Sequence, residues 1–169
     1  MNWEAISAVS EAVGAVTIVI TLIYLAIQVR QNTASVKADA YQGWVSSNIH
    51  LNLATTNQDF AQIIRTGIGD SAKLNAESEV SFGMWNHSVF QIMQAIDIHY
   101  RMGVIDEPLW KSEMSRAAGH LSNPGVRQWW DAGGKTQLTP EFVQHVESIP
   151  SDIVVWGWDP EKGYVQGSE

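Results

Sequence analysis

The chain contains no cysteine among its 169 residues. Disulfide bonds, thiolate metal sites and a cysteine nucleophile are therefore excluded. Basic residues are also few, with ten Lys and Arg against eighteen Asp and Glu and a formal net charge of −8 at pH 7. Because the ten basic residues are scattered along the chain, we expect neither a nucleic-acid-binding face nor a polybasic lipid-binding segment.

The common sequence patterns of catalysis are missing as well. The five histidines include no pair at the i,i+3 or i,i+4 spacing that a helical metal site uses, and no HExxH pattern occurs. The glycines form no phosphate-binding loop, and there is no GxSxG elbow. Asp97 and Arg101 have the spacing of a helical ion pair. We therefore predict no catalytic, cofactor-binding or metal site, and an enzyme stays a remote alternative.

Charge is absent from the eighteen residues between Ala12 and Val29, AVGAVTIVITLIYLAIQV. As a helix this run would be about 27 Å long, close to the hydrocarbon thickness of a bilayer. A run of this length and composition predicts a membrane-spanning helix, with a buried core helix as the alternative. Trp3 and Tyr24 suit the two membrane interfaces.

The flanks of the apolar run favour an uncleaved anchor with its N-terminus outside the cell. A secretory signal would need a basic segment before the run, and residues 1–11 carry Glu4 and Glu11 but no Lys or Arg. Arg30 and Lys37 follow the run, so the positive-inside rule places the remaining chain in the cytoplasm.

The rest of the sequence predicts an all-α protein. The membrane helix lacks a breaking signal before Thr55, and Asn57, Asn75, Asp106 and Thr139 have the positions of caps for later helices. We expect a transmembrane helix over residues 1–30, a helical cytoplasmic bundle over 31–149, and an irregular or short-strand tail over 150–169. In the third helix, the predicted apolar stripe consists of Val80, Met84, Phe90, Met93, Ile96 and Tyr100.

Eight tryptophans give the chain an unusual supply of large amphipathic side chains. Trp129 and Trp130 are expected in the core or at an interface. Together with Trp156 and Trp158 they are candidate partner contacts, because Trp is enriched at interfaces. Residues 156–160 read as a turn. The tail either folds against its own bundle or docks on a neighbouring subunit, a partner or the membrane surface.

Two stretches carry a resemblance to known sequences. The run TLIYLAIQVRQNT, residues 21–33, and the segment NPGVRQWW, residues 123–130, resemble a group of small bacterial membrane proteins with an N-terminal membrane helix and a helical body. The resemblance implies a bacterial inner-membrane location. It implies no activity.

One face of the predicted membrane helix is small or polar along its whole length. At about 100° per residue, seven residues at alternating spacings of three and four form this stripe, which we call the seam. The seam consists of Ser7, Ser10, Gly14, Thr17, Thr21, Tyr24 and Gln28.

Small and hydroxyl-bearing residues allow helices to associate in lipid. We therefore predict a non-catalytic membrane scaffold or accessory subunit that forms a homo-oligomer or binds another membrane protein in the bilayer. The alternative is an oligomeric ion-conducting pore. Glu11, beside the seam, is a candidate pore-mouth or partner-pairing acid, or an acid wetted at the outer interface.

Overall fold

A computed structural model describes residues 2–150 and the backbone of residues 156–159 and 163–166, without the side chains of residues 5, 6, 9 and 10. Six α-helices occur within the described residues: α1 (Trp3–Ala54), α2 (Gln58–Gly69), α3 (Ala76–Arg101), α4 (Glu107–Leu121), α5 (Pro124–Asp131) and α6 (Pro140–Ser148). Short 3-10 turns cover Ser71–Lys73 and Gly134–Gln137. The predicted all-α class is confirmed.

The chain divides into two compact units, residues 1–39 and residues 40–169. The first unit consists of the N-terminal part of α1. Between Glu11 and Ala54, α1 is long and apolar enough to cross a membrane by its length and composition, and its most apolar stretch is not buried in the protein. Ile20, for example, is 61% exposed. These properties are compatible with a membrane anchor.

The helix starts follow local capping chemistry. The Asn57 side chain accepts a hydrogen bond from the Phe60 backbone N–H at 3.0 Å, and Asn75 accepts one from Ser78 at 2.8 Å. Both bonds satisfy amides that the first helical turn leaves unpaired. Helix α3 ends before Gly103, whose φ of +73° favours glycine. The side chains of Asp106 and Thr139 make no capping hydrogen bond at the starts of α4 and α6.

The second unit has one hydrophobic core, built mainly from α3 to α6 with the end of α2. Its fully buried large residues include Trp130, Phe82, Phe90, Phe142 and Met93. The stripe predicted for α3 is wrong at two positions, because Val80 and Met84 are 66% and 61% exposed. Helix α3 instead buries a face that contains two polar residues, Asn86 and Asp97.

The tail contains a two-stranded antiparallel sheet, β1 (Trp156–Asp159) and β2 (Gly163–Gln166). This confirms a short-strand tail but corrects the turn predicted at residues 156–160, because residues 156–159 form β1. Trp158 is paired with Tyr164 in the register. Strand β1 lies next to α4, beside the bundle of its own chain.

Candidate functional site

The structure presents the seam on an unburied helix. The described seam residues Ser7, Gly14, Thr17, Thr21, Tyr24 and Gln28 are exposed, as is Glu11. The Ser10 side chain lies outside the described residues. Space around Gly14 is open, since an added Cβ would contact nothing within 4 Å. The seam residues therefore remain available for contact with another helix.

The polar groups of the seam are bonded within their own helix. The Thr17 hydroxyl donates to the Val13 carbonyl at 2.8 Å, and the Thr21 hydroxyl donates to the Thr17 carbonyl at 2.8 Å. The Gln28 amide donates to the Tyr24 hydroxyl at 2.7 Å. These bonds satisfy groups that would be costly to leave unpaired in hydrocarbon. They leave close packing at small residues as the main contribution of the seam to association.

Of the four candidate partner tryptophans, Trp130 is a core residue. It is 0% exposed, which corrects its prediction as a partner contact. Its indole N–H donates to the Glu147 carboxylate at 2.9 Å, and the Lys135 ammonium donates to the same oxygen at 3.0 Å. The bond from Trp130, followed by that from Lys135, holds the pKa of Glu147 below its usual value.

Trp129 is half-buried and packs against the core. Its ring stacks on Phe90 with centroids 5.8 Å apart and planes 9° apart, and it also lies over Gly134. The side chains of Trp156 and Trp158 lie outside the described residues.

A buried carboxylate joins three helices of the second unit. Asp97 on α3 is 0% exposed and forms an ion pair with Arg101 at 3.1 Å, as the spacing predicts. Its other oxygen accepts from the Trp110 indole of α4 at 2.9 Å and lies 3.0 Å from His145 Nδ1 on α6. Burial of a carboxylate requires such compensation, so this cluster holds α3, α4 and α6 together.

A second polar group surrounds His120 on α4. His120 Nε2 lies 2.8 Å from the Asn86 amide oxygen, while the Asn86 amide nitrogen donates to the Phe82 carbonyl. Since the Asn86 oxygen can only accept, the Nε2–H of His120 donates. Trp85 and Phe90 lie against its ring, with centroids 5.2 and 5.3 Å away. Burial, and then the charge of Arg116, lower the pKa of His120 to about 3.

Arg116 lies one helical turn before His120. Its Nη1 donates to the Asn48 side-chain oxygen at 2.9 Å, and its Nη2 forms an ion pair with the buried Glu113 at 2.6 Å. Asn48 belongs to the last turns of α1, so this contact links α1 to α4 within the second unit. His120, Arg116 and Trp85 border one groove of the second unit.

Sequence reasoning missed the His120 group, although a signal for it exists. Positions 82, 86, 90, 93 and 97 follow helical spacing and include the buried aromatics of α3. Asn86 and Asp97 occupy two of them. A polar residue on a buried helix face requires a partner from another element.

Comparison with protein-family models, curated proteins and solved structures finds no match.

Proposed function

We propose that the protein is a single-pass, non-catalytic membrane scaffold or accessory subunit that associates through the seam. The observation that carries this proposal is the contrast between its two units. Residues 40–150 bury a core of their own, whereas the apolar stretch of α1 has no burial in the protein. A long apolar helix without a protein partner suits lipid.

In the orientation that we propose, the N-terminus is outside and residues 30–169 are in the cytoplasm. Arg30 and Lys37 after the apolar stretch support this topology. The resemblance to small bacterial membrane proteins supports the inner membrane as the location. A homo-oligomer is the simplest partner arrangement, since a seam of small residues can be self-complementary.

Substitution of the smallest seam residue tests the proposal. Gly14→Leu places a branched side chain where close helix contact is expected, so we expect self-association to weaken by about tenfold. Ala12→Leu is the matched control, because at about 100° per residue Ala12 lies on the face of the helix opposite the seam, where it adds a similar side chain. Association is measured by energy transfer between labelled copies in liposomes as the protein-to-lipid ratio varies.

Three results would contradict the proposal. A monomer at every lipid ratio, with no partner co-purifying from native membranes, would remove the basis for a scaffold. Equal effects of Gly14→Leu and Ala12→Leu would place the contact elsewhere. Ion flux through liposomes that falls with Glu11→Gln would instead identify an oligomeric pore.

A further inference from the structure

The second unit contains a groove with a volume of about 550 Å³. It is bordered by the end of α1 and by α2, α3 and α4. This volume lies within the range of about 300–1,000 Å³ that is common for small-molecule sites. Its apolar wall is formed by Leu51, Ile64, Ile68, Val89 and Met93.

The charged side chains that border the groove are all basic. Arg65 from α2 and Arg116 from α4 line it, and no acidic residue of the described chain does. Glu113, which pairs with Arg116, is buried outside the lining. Despite its two partners, the Arg116 side chain is 41% exposed. A guanidinium carries five N–H donors, so Arg116 retains donors for an anion at the groove.

His120, at the Arg116 end of the groove, is a neutral hydrogen-bonding group. His120 borders the groove and donates its Nε2–H to Asn86. Burial, and then the charge of Arg116, lower the pKa of His120 to about 3, so the imidazole stays neutral beside the guanidinium. The excess of basic lining stands out in a chain with a net charge of −8.

We propose that the groove binds an amphipathic anion: an unbranched acyl or alkyl chain with one carboxylate or phosphate headgroup. The chain would pack against Ile64, Ile68 and Met93, where burial of CH₂ groups is favourable. The headgroup would accept hydrogen bonds from the Arg116 guanidinium, which matches both oxyanions in geometry. This binding site is independent of the scaffold function, because its residues belong to the second unit.

The groove tryptophan provides a direct readout. Full-length protein is placed in lipid nanodiscs in a Trp3→Phe background and titrated with ω-bromodecanoate, whose bromine quenches indole fluorescence on contact. We expect saturable quenching that is lost when Trp85 is replaced in Trp85→Phe. The uncharged analogue ω-bromodecanol has the same chain, and we expect it to bind at least about tenfold more weakly.

A double variant tests the headgroup contact. It combines Glu113→Gln and Arg116→Gln in one protein, which removes both charges together, so that no buried carboxylate is left unpaired. We expect at least about tenfold weaker binding of ω-bromodecanoate. Arg127→Gln is the matched control, because Arg127 borders no part of the groove and its ion pair with Asp131, at 3.9 Å, is exposed.

Each outcome decides the proposal. Displacement of the brominated acid by decanoate or by decyl phosphate supports it and identifies the headgroup, and displacement by neither overturns it. Equal affinity for the acid and the alcohol overturns anion recognition even if the double variant fails to fold. Absence of saturable quenching overturns the groove as a binding site, while leaving the association test at Gly14 unaffected.

Discussion

At the scale of single residues, the second unit depends on two polar side chains buried on α3. Asn86 and Asp97 each bond to residues from helices later in the chain, His120 for Asn86, and Trp110 and His145 for Asp97. Such bonds stabilise only modestly in net terms, but loss of one partner leaves a buried group unpaired. Each of these two positions therefore requires a polar residue because of the side chains that bond to it from other helices.

The buried neutral state of His120 predicts a particular acid sensitivity. Its pKa is about 3 in the folded protein, against 6.5 in an unfolded chain. Between these values the unfolded state binds one more proton, so the free energy of unfolding falls as the pH falls below about 6.5. One proton contributes a slope of up to about 1.4 kcal/mol per pH unit.

His120→Gln removes this titration while keeping a side chain that can donate to Asn86. We expect wild type to lose stability relative to the variant between about pH 6 and pH 4, measured by urea unfolding at each pH. Protonation of Glu147, whose pKa is lowered in the fold, also reduces stability in acid. Because wild type and variant both contain Glu147, this loss cancels when their stabilities are compared. Parallel pH profiles would contradict a neutral buried His120.

At the scale of elements, sequence-local chemistry predicted the helices well. The Asn57 and Asn75 caps, the prolines at the starts of α4, α5 and α6, and Gly103 all act within a few residues of the chain. The buried face of α3 was harder to predict, because it exposes Val80 and Met84 while burying Asn86 and Asp97. That choice depends on His120, Trp110 and His145, whose positions follow only from helix packing.

The same limit applies to the candidate sites. The seam can be read from spacing alone, because it needs only one helix. The groove combines residues of α1 to α4, and nothing in the local sequence around Arg65 or Arg116 indicates that they share it. The interior position of Trp130 likewise follows from the packing of α5 against α3, where Phe90 lies against its ring.

The contact between α2 and α5 has no room for a side chain. A Cβ added at Gly125 would overlap the carbonyl oxygen of Gly67. Just after α2, in the 3-10 turn Ser71–Lys73, the Ser71 amide and hydroxyl donate hydrogen bonds to the Gln128 side-chain oxygen of α5 at 3.0 and 2.7 Å. We expect Gly125→Ala to lower the free energy of unfolding by about 1–3 kcal/mol, despite the better helix propensity of alanine.

Gly43→Ala is the matched control in the same unit, because a Cβ there meets nothing within 4 Å. We expect it to be neutral or stabilising by up to about 1 kcal/mol, since it lies inside α1. Both variants are compared by urea unfolding followed by circular dichroism. Equal stability of the two variants would show that α2 and α5 do not approach this closely in solution.

At the scale of the whole molecule, the two units predict a simple deletion result. Among the residues whose side chains the structure describes, every buried core residue lies between positions 64 and 146, and none comes from residues 1–39. We expect a chain that starts at Ala40 to fold and unfold cooperatively in aqueous buffer, measured by circular dichroism. It should also be monomeric by sedimentation, because it lacks the seam.

The outcomes of that deletion test separately whether the second unit folds on its own and whether the seam is the association interface. An unfolded product would mean that the core needs residues 1–39. A folded product that still self-associates would place the interface in the second unit, with exposed apolar residues such as Ile49 and Leu53 as candidates. Either result would change the proposed assembly without altering the expected binding at the groove.

The approach of Gly67 to Gly125 also restricts how this sequence can evolve. When two side chains crowd each other, a mutation that enlarges one can be offset by a second that trims the other. Here the obstacle to a side chain at position 125 is a backbone carbonyl, which no substitution can shorten. A larger residue at position 125 could be accommodated only if α5 moved away from α2. Substitution at this position would therefore require a change in the distance between the two helices.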